Sequence, residues 1–330
     1  MSVHWQYLPQ LTGRLCLTDG GIETDLIFHH GEDLPYNAAY VLLEHDRGVE
    51  RLTQYFERYL AIARDAGAGF VLESPTWRSN PDWSTKIGTS PEAFDSINRK
   101  AIALLAGIRD KWQHEVSPIV VSGCIGPRSD GYRPSEIMSE YGAEQYHSIQ
   151  IAAFAQTDVD CLSAMTMTNV PEAIGIVRAA RAVGVPVIVS FTLETDGRLP
   201  TGTPLREAIE RVDDATAGTA AYYMINCVHP THFAGVLDEG AAWTTRIRGL
   251  RANASRCSHA ELDAAPRLDE GDPVELGAQY RALLERFPHL TVLGGCCGTD
   301  HRHVREIAAA CAPRGASGLG STAFALNTVQ

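Results

Sequence analysis

A single α/β domain folded as a (β/α)8 TIM barrel is what this 330-residue chain predicts, and three observations lead there. Short apolar runs alternate with longer segments of helical period, the alternation repeats eight times, and the runs are near-continuously apolar. Strands of a parallel sheet, covered on both faces by helices, read that way. A doubly wound sheet is the alternative, and the strand count argues against it. The length exceeds that of a usual domain, but barrels of this class reach it as one unit, so positions 1–330 read as one domain.

The strand candidates are 15–18, 69–73, 118–122, 160–165, 185–191, 222–226, 247–251 and 290–293. Helix candidates fall between them at 47–66, 91–115, 135–157, 170–182, 204–217, 230–240, 272–286 and 300–312. Ser90-Pro91, Thr203-Pro204 and Asp272-Pro273 each offer a capping residue followed by a proline, which suits the first helical turn because its N–H is not missed there. Gly67, Gly184 and Gly315 stand where a C-terminal cap needs a left-handed residue. The polar stretch 253–271 reads as a long loop after the seventh strand.

Composition limits the function classes. Hydrophobic residues make up 45% and charged residues 21%, ordinary globular values with material for a large core. A formal net charge of -12 argues against broad attraction to nucleic acid or an anionic membrane and favours small-molecule partners. The N-terminus lacks the basic and apolar regions of a signal peptide, and no apolar run is long enough to span a bilayer, so the expectation is a cytoplasmic protein. Eight cysteines are too sparse for a disulfide scaffold and read as thiols or ligands.

Chemistry is concentrated in 291–299, an apolar run ending in Gly294-Gly295-Cys296-Cys297-Gly298. Consecutive strand residues face opposite sides, so both thiols reach one centre only where the strand stops and glycines let the backbone turn. Adjacent cysteines do not bridge each other without strain. Two readings remain, a metal site or two buried thiols. Cys227, at the end of the sixth run, is the best third ligand, because barrel chemistry gathers where strands end. Three thiolates with one position open make a catalytic zinc (Zn2+) site, suited to holding a substrate thiol as a thiolate. The other five cysteines, Cys16, Cys124, Cys161, Cys257 and Cys311, read as core or surface thiols. Asp19-Gly20-Gly21, after the first run, offers a carboxylate and backbone amides for a substrate carboxylate, or an ordinary tight turn. His229 is a possible further substrate contact.

Asp19-Gly20-Gly21, Asn226-Cys227 and Gly294-Gly295-Cys296-Cys297-Gly298, with 123–127 and 226–230 as intermediate blocks, resemble the homocysteine S-methyltransferase family over about positions 12–326. That resemblance implies a (β/α)8 barrel, zinc on Cys227, Cys296 and Cys297, and methylation of the activated thiol, as in methionine biosynthesis. It implies that Asp19 meets the acceptor's amino group, that amides near Gly20 and Gly21 take its carboxylate, and that Thr76 and Asn226 belong to the same substrate site. The family usually carries Glu-Thr at the end of the fourth strand, the Glu anchoring the homocysteine ammonium; here Met165-Thr166 stands there. A thioether at Met165 implies homocysteine or a related thiol whose portion there is neutral or apolar. With no cobalamin or folate module attached, the donor implied is a methylated onium compound such as S-methylmethionine, S-adenosylmethionine or a betaine. Trp77, Trp83, Tyr36 and Tyr222 are aromatics that would cage such a cation if they face the site.

The competing classes are a related methyltransferase or demethylase with a non-homocysteine acceptor, a metal-dependent hydrolase on the same barrel, and a zinc or redox-sensing protein without turnover. Hydrolases favour His and carboxylate ligands around a bound water, which a set of three thiolates disfavours.

Overall fold

The computed structural model describes residues 4, 7–134, 136–265 and 267–312. Eight parallel strands, β1 (Cys16–Leu17), β2 (Gly69–Glu73), β3 (Ile119–Ile125), β4 (Cys161–Met167), β5 (Val187–Phe191), β6 (Tyr222–Asn226), β7 (Ile247–Ala252) and β8 (Val292–Gly295), form a closed barrel in sequence order. The ring closes where β1 pairs with β8, Cys16 opposite Val292 and Leu17 opposite Leu293. Every strand residue is buried except Arg248, which explains the near-continuous apolar runs.

Among the described residues the α-helices beyond β1 and its following turn are α1 (Asp46–Asp65), α2 (Pro81–Ile87), α3 (Pro91–Trp112), α4 (Glu140–Ala155), α5 (Val170–Val183), α6 (Leu205–Thr216), α7 (Pro230–Phe233), α8 (His259–Ala264), α9 (Pro273–Arg286) and α10 (His301–Cys311); the turn after β1 is helical from Ile22 to His29. Side-chain caps start most of them: Ser90 accepts from the Ala93 N–H, Asn169 from Glu172, and Asp272 from Val274 and Glu275. Gly184 closes α5 in the left-handed conformation at φ 76°. Position 315 and position 135, the expected start of the third helix candidate, lie outside the described residues.

Four local expectations change. The segment 230–240 forms one turn, Pro230–Phe233, and the helix does not continue towards Gly235 and Gly240, residues of low helix propensity. α6 begins at Leu205 with Pro204 as a cap lacking any side-chain hydrogen bond, so Thr203 does not cap it. The stretch 253–271 contains α8, held by a reciprocal Ser258–Glu261 capping box. α2, signalled by Asn80-Pro81 and Gly88 as cap, first-turn proline and left-handed stop, lies between the second strand candidate and the 91–115 helix candidate, where no helix was expected.

The core has two parts. An apolar belt between strands and helices contains Phe56, Phe70, Phe154, Phe191, Tyr223 and Leu293. Inside the barrel, Cys16, Val71, Val120, Cys161, Ile188 and Val292 pack into a cluster that includes Tyr222, and the turn Pro9–Leu11 covers that end through Gln10, which donates to the Tyr222 hydroxyl at 3.4 Å. Towards the other end the inward side chains turn polar: Ser122 and Ser163 are hydrogen bonded at 2.6 Å, and beyond them stand Asp19, Glu73, Asn226 and Arg251. Chemistry is thereby confined to the C-terminal rim.

Candidate metal centre and substrate pocket

β6 and β8 deliver the three predicted ligands. Cys227 follows β6 in the left-handed region, φ 54°, and Cys296-Cys297 follow β8 before Gly298 turns the chain at φ 78°. A side chain at Gly294 would collide with Thr18, just past β1, and one at Gly295 with Thr299 of the following loop, so glycines are needed at both for the chain to pack this closely. The Sγ atoms of Cys227, Cys296 and Cys297 lie within 4.8 Å of one another. Cys227 and Cys296, read from sequence as separate thiols or ligands, are joined as a disulfide with Cα atoms 5.3 Å apart; sulfurs aimed at one point are within bonding reach of each other. The other expected thiols, Cys16, Cys124, Cys161, Cys257 and Cys311, are free.

Asn226 orients this cluster. Its Oδ1 accepts from the Thr166 N–H at 3.0 Å and from the Ser190 hydroxyl at 2.6 Å, which fixes the amide so that Nδ2 donates to Thr166 Oγ1 at 2.8 Å and Cys227 Sγ at 3.2 Å. Thr166 itself sits at φ 63°, a costly conformation for a β-branched residue. Two strained residues at neighbouring strand ends, tied through one amide, mark a rim built for placement. Tyr132 Oη lies 3.3 Å from Cys297 Sγ; burial pushes the Cys297 thiol up, and this hydrogen bond pulls it down. Once the Cys227–Cys296 bond is reduced, the Asn226 N–H at Cys227 and the Tyr132 hydroxyl at Cys297 favour thiolates, and a donor set of three thiolates fits zinc.

The cluster opens into a cavity of about 360 Å³. Arg251 of β7 lies across its floor, donating from Nη2 to Asp19 Oδ1 at 2.7 Å, from Nη1 to Glu73 Oε2, and from Nε to the Gly295 carbonyl at 3.0 Å. Tyr55 donates to the second Asp19 oxygen at 2.9 Å. Burial pushes the Asp19 and Glu73 carboxyls up while Arg251 draws them down; burial opposes the Arg251 charge, and the two carboxylates outweigh it.

Of the other sequence-predicted site residues, Gly20, Gly21, Met165 and Asn226 line this cavity with Asp19. The Gly21 N–H, expected to receive a substrate carboxylate, already donates to the Thr299 carbonyl at 3.0 Å. Thr76 is fully buried outside the lining, with its hydroxyl donating to the Cys124 carbonyl at 2.8 Å. His229 caps α7 and lines a separate small cavity, and burial lowers its pKa to about 4, so it is neutral. The four aromatics do not converge. Tyr222 belongs to the opposite end of the barrel, Tyr36 is 56% exposed and packs on Trp83, and Trp77 alone lines the cavity. The space between Trp77 and Trp83 is filled by the chain's own Arg78, whose guanidinium lies 4.1 Å from each ring centroid.

Arg251, Glu73, Tyr132, Arg78 and Glu23 line the pocket without having been singled out from sequence. An arginine inside an apolar strand was the available signal for Arg251, since a buried cation requires a carboxylate partner. Glu23 is a carboxylate one turn beyond β1; burial pushes it up to about 7 against the pull of its own backbone N–H, with the Asp19 charge adding to the rise.

Comparison with known proteins gives one consistent result. The model of the homocysteine S-methyltransferase family matches residues 16–311. A Bacillus subtilis homocysteine S-methyltransferase, YbgG, is 23% identical over 288 residues, covering 82% of this chain and 86% of its own. The homocysteine methyltransferase MmuM from Escherichia coli superposes with a TM-score of 0.69 in its oxidized form, at 20% identity over 89% of this chain and 95% of that one. Its metallated form gives 0.67, at 20% identity over 90% and 96%. These two structures share the barrel fold.

Proposed function

The chain belongs to the homocysteine S-methyltransferase family and is a methyltransferase, and from that premise we propose that it methylates a small-molecule thiol, homocysteine or a related thiol, from an onium donor such as S-methylmethionine, S-adenosylmethionine or a betaine, with zinc on Cys227, Cys296 and Cys297. The reading places it in the cytoplasm, where its cysteines are kept reduced, and with homocysteine as acceptor in methionine biosynthesis. The observation that carries it is the meeting of three sulfurs, each from a strand end, at the floor of one cavity. Zinc bound there supplies a lowered thiol pKa, which makes the acceptor a nucleophile near neutral pH.

The chain's own groups do the rest. Asn226 and Tyr132 hold the sulfurs in place, Arg251 keeps Asp19 and Glu73 fixed, and Met165 presents an apolar wall. In the transfer, the acceptor sulfur bonds to the methyl carbon as the donor's C–S or C–N bond breaks, and that electron pair returns to the donor and cancels its charge. The acceptor's proton has by then left to solvent.

Reconstitution with zinc under reductant, followed by a panel of thiols against onium donors read by mass for the gain of one CH2, tests the reading. About one zinc per chain is expected, lost in Cys227→Ala or Cys297→Ala with the circular dichroism of the fold retained. Full zinc loading of Cys227→Ala, or no methylated thiol from any donor, would refute it.

A further inference from the structure

Among the described residues, five carboxylates line the pocket, and four are already partnered. Asp19 and Glu73 are held by Arg251, Asp130 accepts from the Tyr132 N–H at 2.8 Å and faces Arg78 at 3.7 Å, and Asp269 accepts from Ser255. Glu23 differs: among the described residues no cation lies within ion-pairing distance of its carboxylate, although it lines the same cavity. Glu23 is half-buried, and a carboxylate that faces the cavity with no cation beside it offers its charge to what the cavity holds.

Its position indicates which ligand. Glu23 is carried by the turn that packs on the ligand-bearing loop: Gly21 donates to the Thr299 carbonyl, and Gly298 donates to Thr24 Oγ1 at 3.3 Å. The substrate fixed at this cluster by its sulfur is the acceptor. Asp19, the carboxylate otherwise expected to meet the acceptor's nitrogen, has both oxygens engaged, and Met165 at the fourth strand end offers no charge. A primary ammonium needs hydrogen-bond acceptors; S-methylmethionine and S-adenosylmethionine carry one too, but the substrate whose sulfur is fixed at the cluster beside the Glu23 turn is the acceptor.

We propose that Glu23 binds the ammonium group of the thiol acceptor and sets the enzyme's preference for amino-acid thiols. The proposal rests on the thiol-methyltransferase reading. The acceptor's carbon chain then lies against the Met165 thioether, and Asp19 and Arg251 serve as a fixed floor.

Calorimetry on the zinc-loaded protein tests this without turnover, using homocysteine and 4-mercaptobutyrate, which lacks the amino group. Wild type should bind homocysteine about ten- to a hundredfold more tightly, the range of one charge-assisted hydrogen bond. Glu23→Gln should erase that preference while leaving zinc content and 4-mercaptobutyrate affinity unchanged, and Glu23→Asp, which keeps the charge, should retain part of it. In kinetics, the Gln variant should raise the KM for homocysteine and leave that for the donor. Equal binding of the two thiols by wild type, a preference that survives in Glu23→Gln, or an effect confined to the donor KM would each overturn the assignment. Wild type that binds neither thiol would overturn the acceptor reading beneath it. The wild-type comparison stands even if a variant fails to fold.

Discussion

Asn226 connects more of the site than any ligand does. Its amide oxygen is saturated by Thr166 and Ser190, and its amide nitrogen is thereby turned onto Cys227. Removing that N–H···S contact in Asn226→Ala should lower zinc affinity about ten- to a hundredfold, the usual effect of losing a partner to a metal ligand. Competition with a chromophoric chelator measures it, and unchanged affinity would make Asn226 a purely structural residue. At this scale the sequence was readable where residue type and strand-end position suffice, as for the meeting of Cys227, Cys296 and Cys297. It was unreadable where the partner decides: Asp19 has the same identity whether it faces a substrate or Arg251, and only the β7 register places that arginine beneath it.

The secondary-structure elements were legible in proportion to their punctuation. α3, α5 and α9 carry cap, proline or glycine signals and lie close to where the sequence put them, whereas 230–240 had periodicity without a strong helix composition and yielded one turn. α10 provides a quantitative test. Asp300 caps it through the Arg302 N–H; burial pushes its carboxyl up, but hydrogen bonds from His303 and Arg302 more than offset this and hold it well below the usual carboxylate range. Asp300→Ala should cost about 1–2 kcal/mol at pH 7. Because the folded pKa is depressed, the wild-type advantage is complete above the unfolded value of about 4 and fades as pH falls below it. Urea denaturation of both proteins at pH 7 and pH 3 would show the gap narrowing; a constant gap would mean the charge contributes nothing.

Across the whole molecule, the barrel separates an apolar interior at one end from a charged floor at the other, and Arg251 is the group that makes the second tolerable. Arg251→Met leaves Asp19 and Glu73 buried without a cation and should destabilise the protein by about 3–5 kcal/mol. Both carboxyls then rise further, so the variant keeps stability at low pH and loses it as pH climbs; its deficit against wild type should shrink on moving from pH 7 to pH 5. Zinc removal should behave differently, because no helix or strand depends on the cluster: chelation should leave far-UV circular dichroism unchanged. A collapse of secondary structure on chelation would show that the ion is part of the core.

The seam between β1 and β8 has a consequence for the order of events in the cell. The last strand leads directly into two of the three sulfurs, and Gly294 lies so close to Thr18 and Asp19 that a side chain there would collide with them. A growing chain therefore presents Cys227 before its two partner ligands, Cys296 and Cys297, exist. The cluster comes into being with the ring itself, so metal uptake is a gauge of completed synthesis: a Gly294→Ala chain, unable to seat that strand, should emerge full length and remain empty.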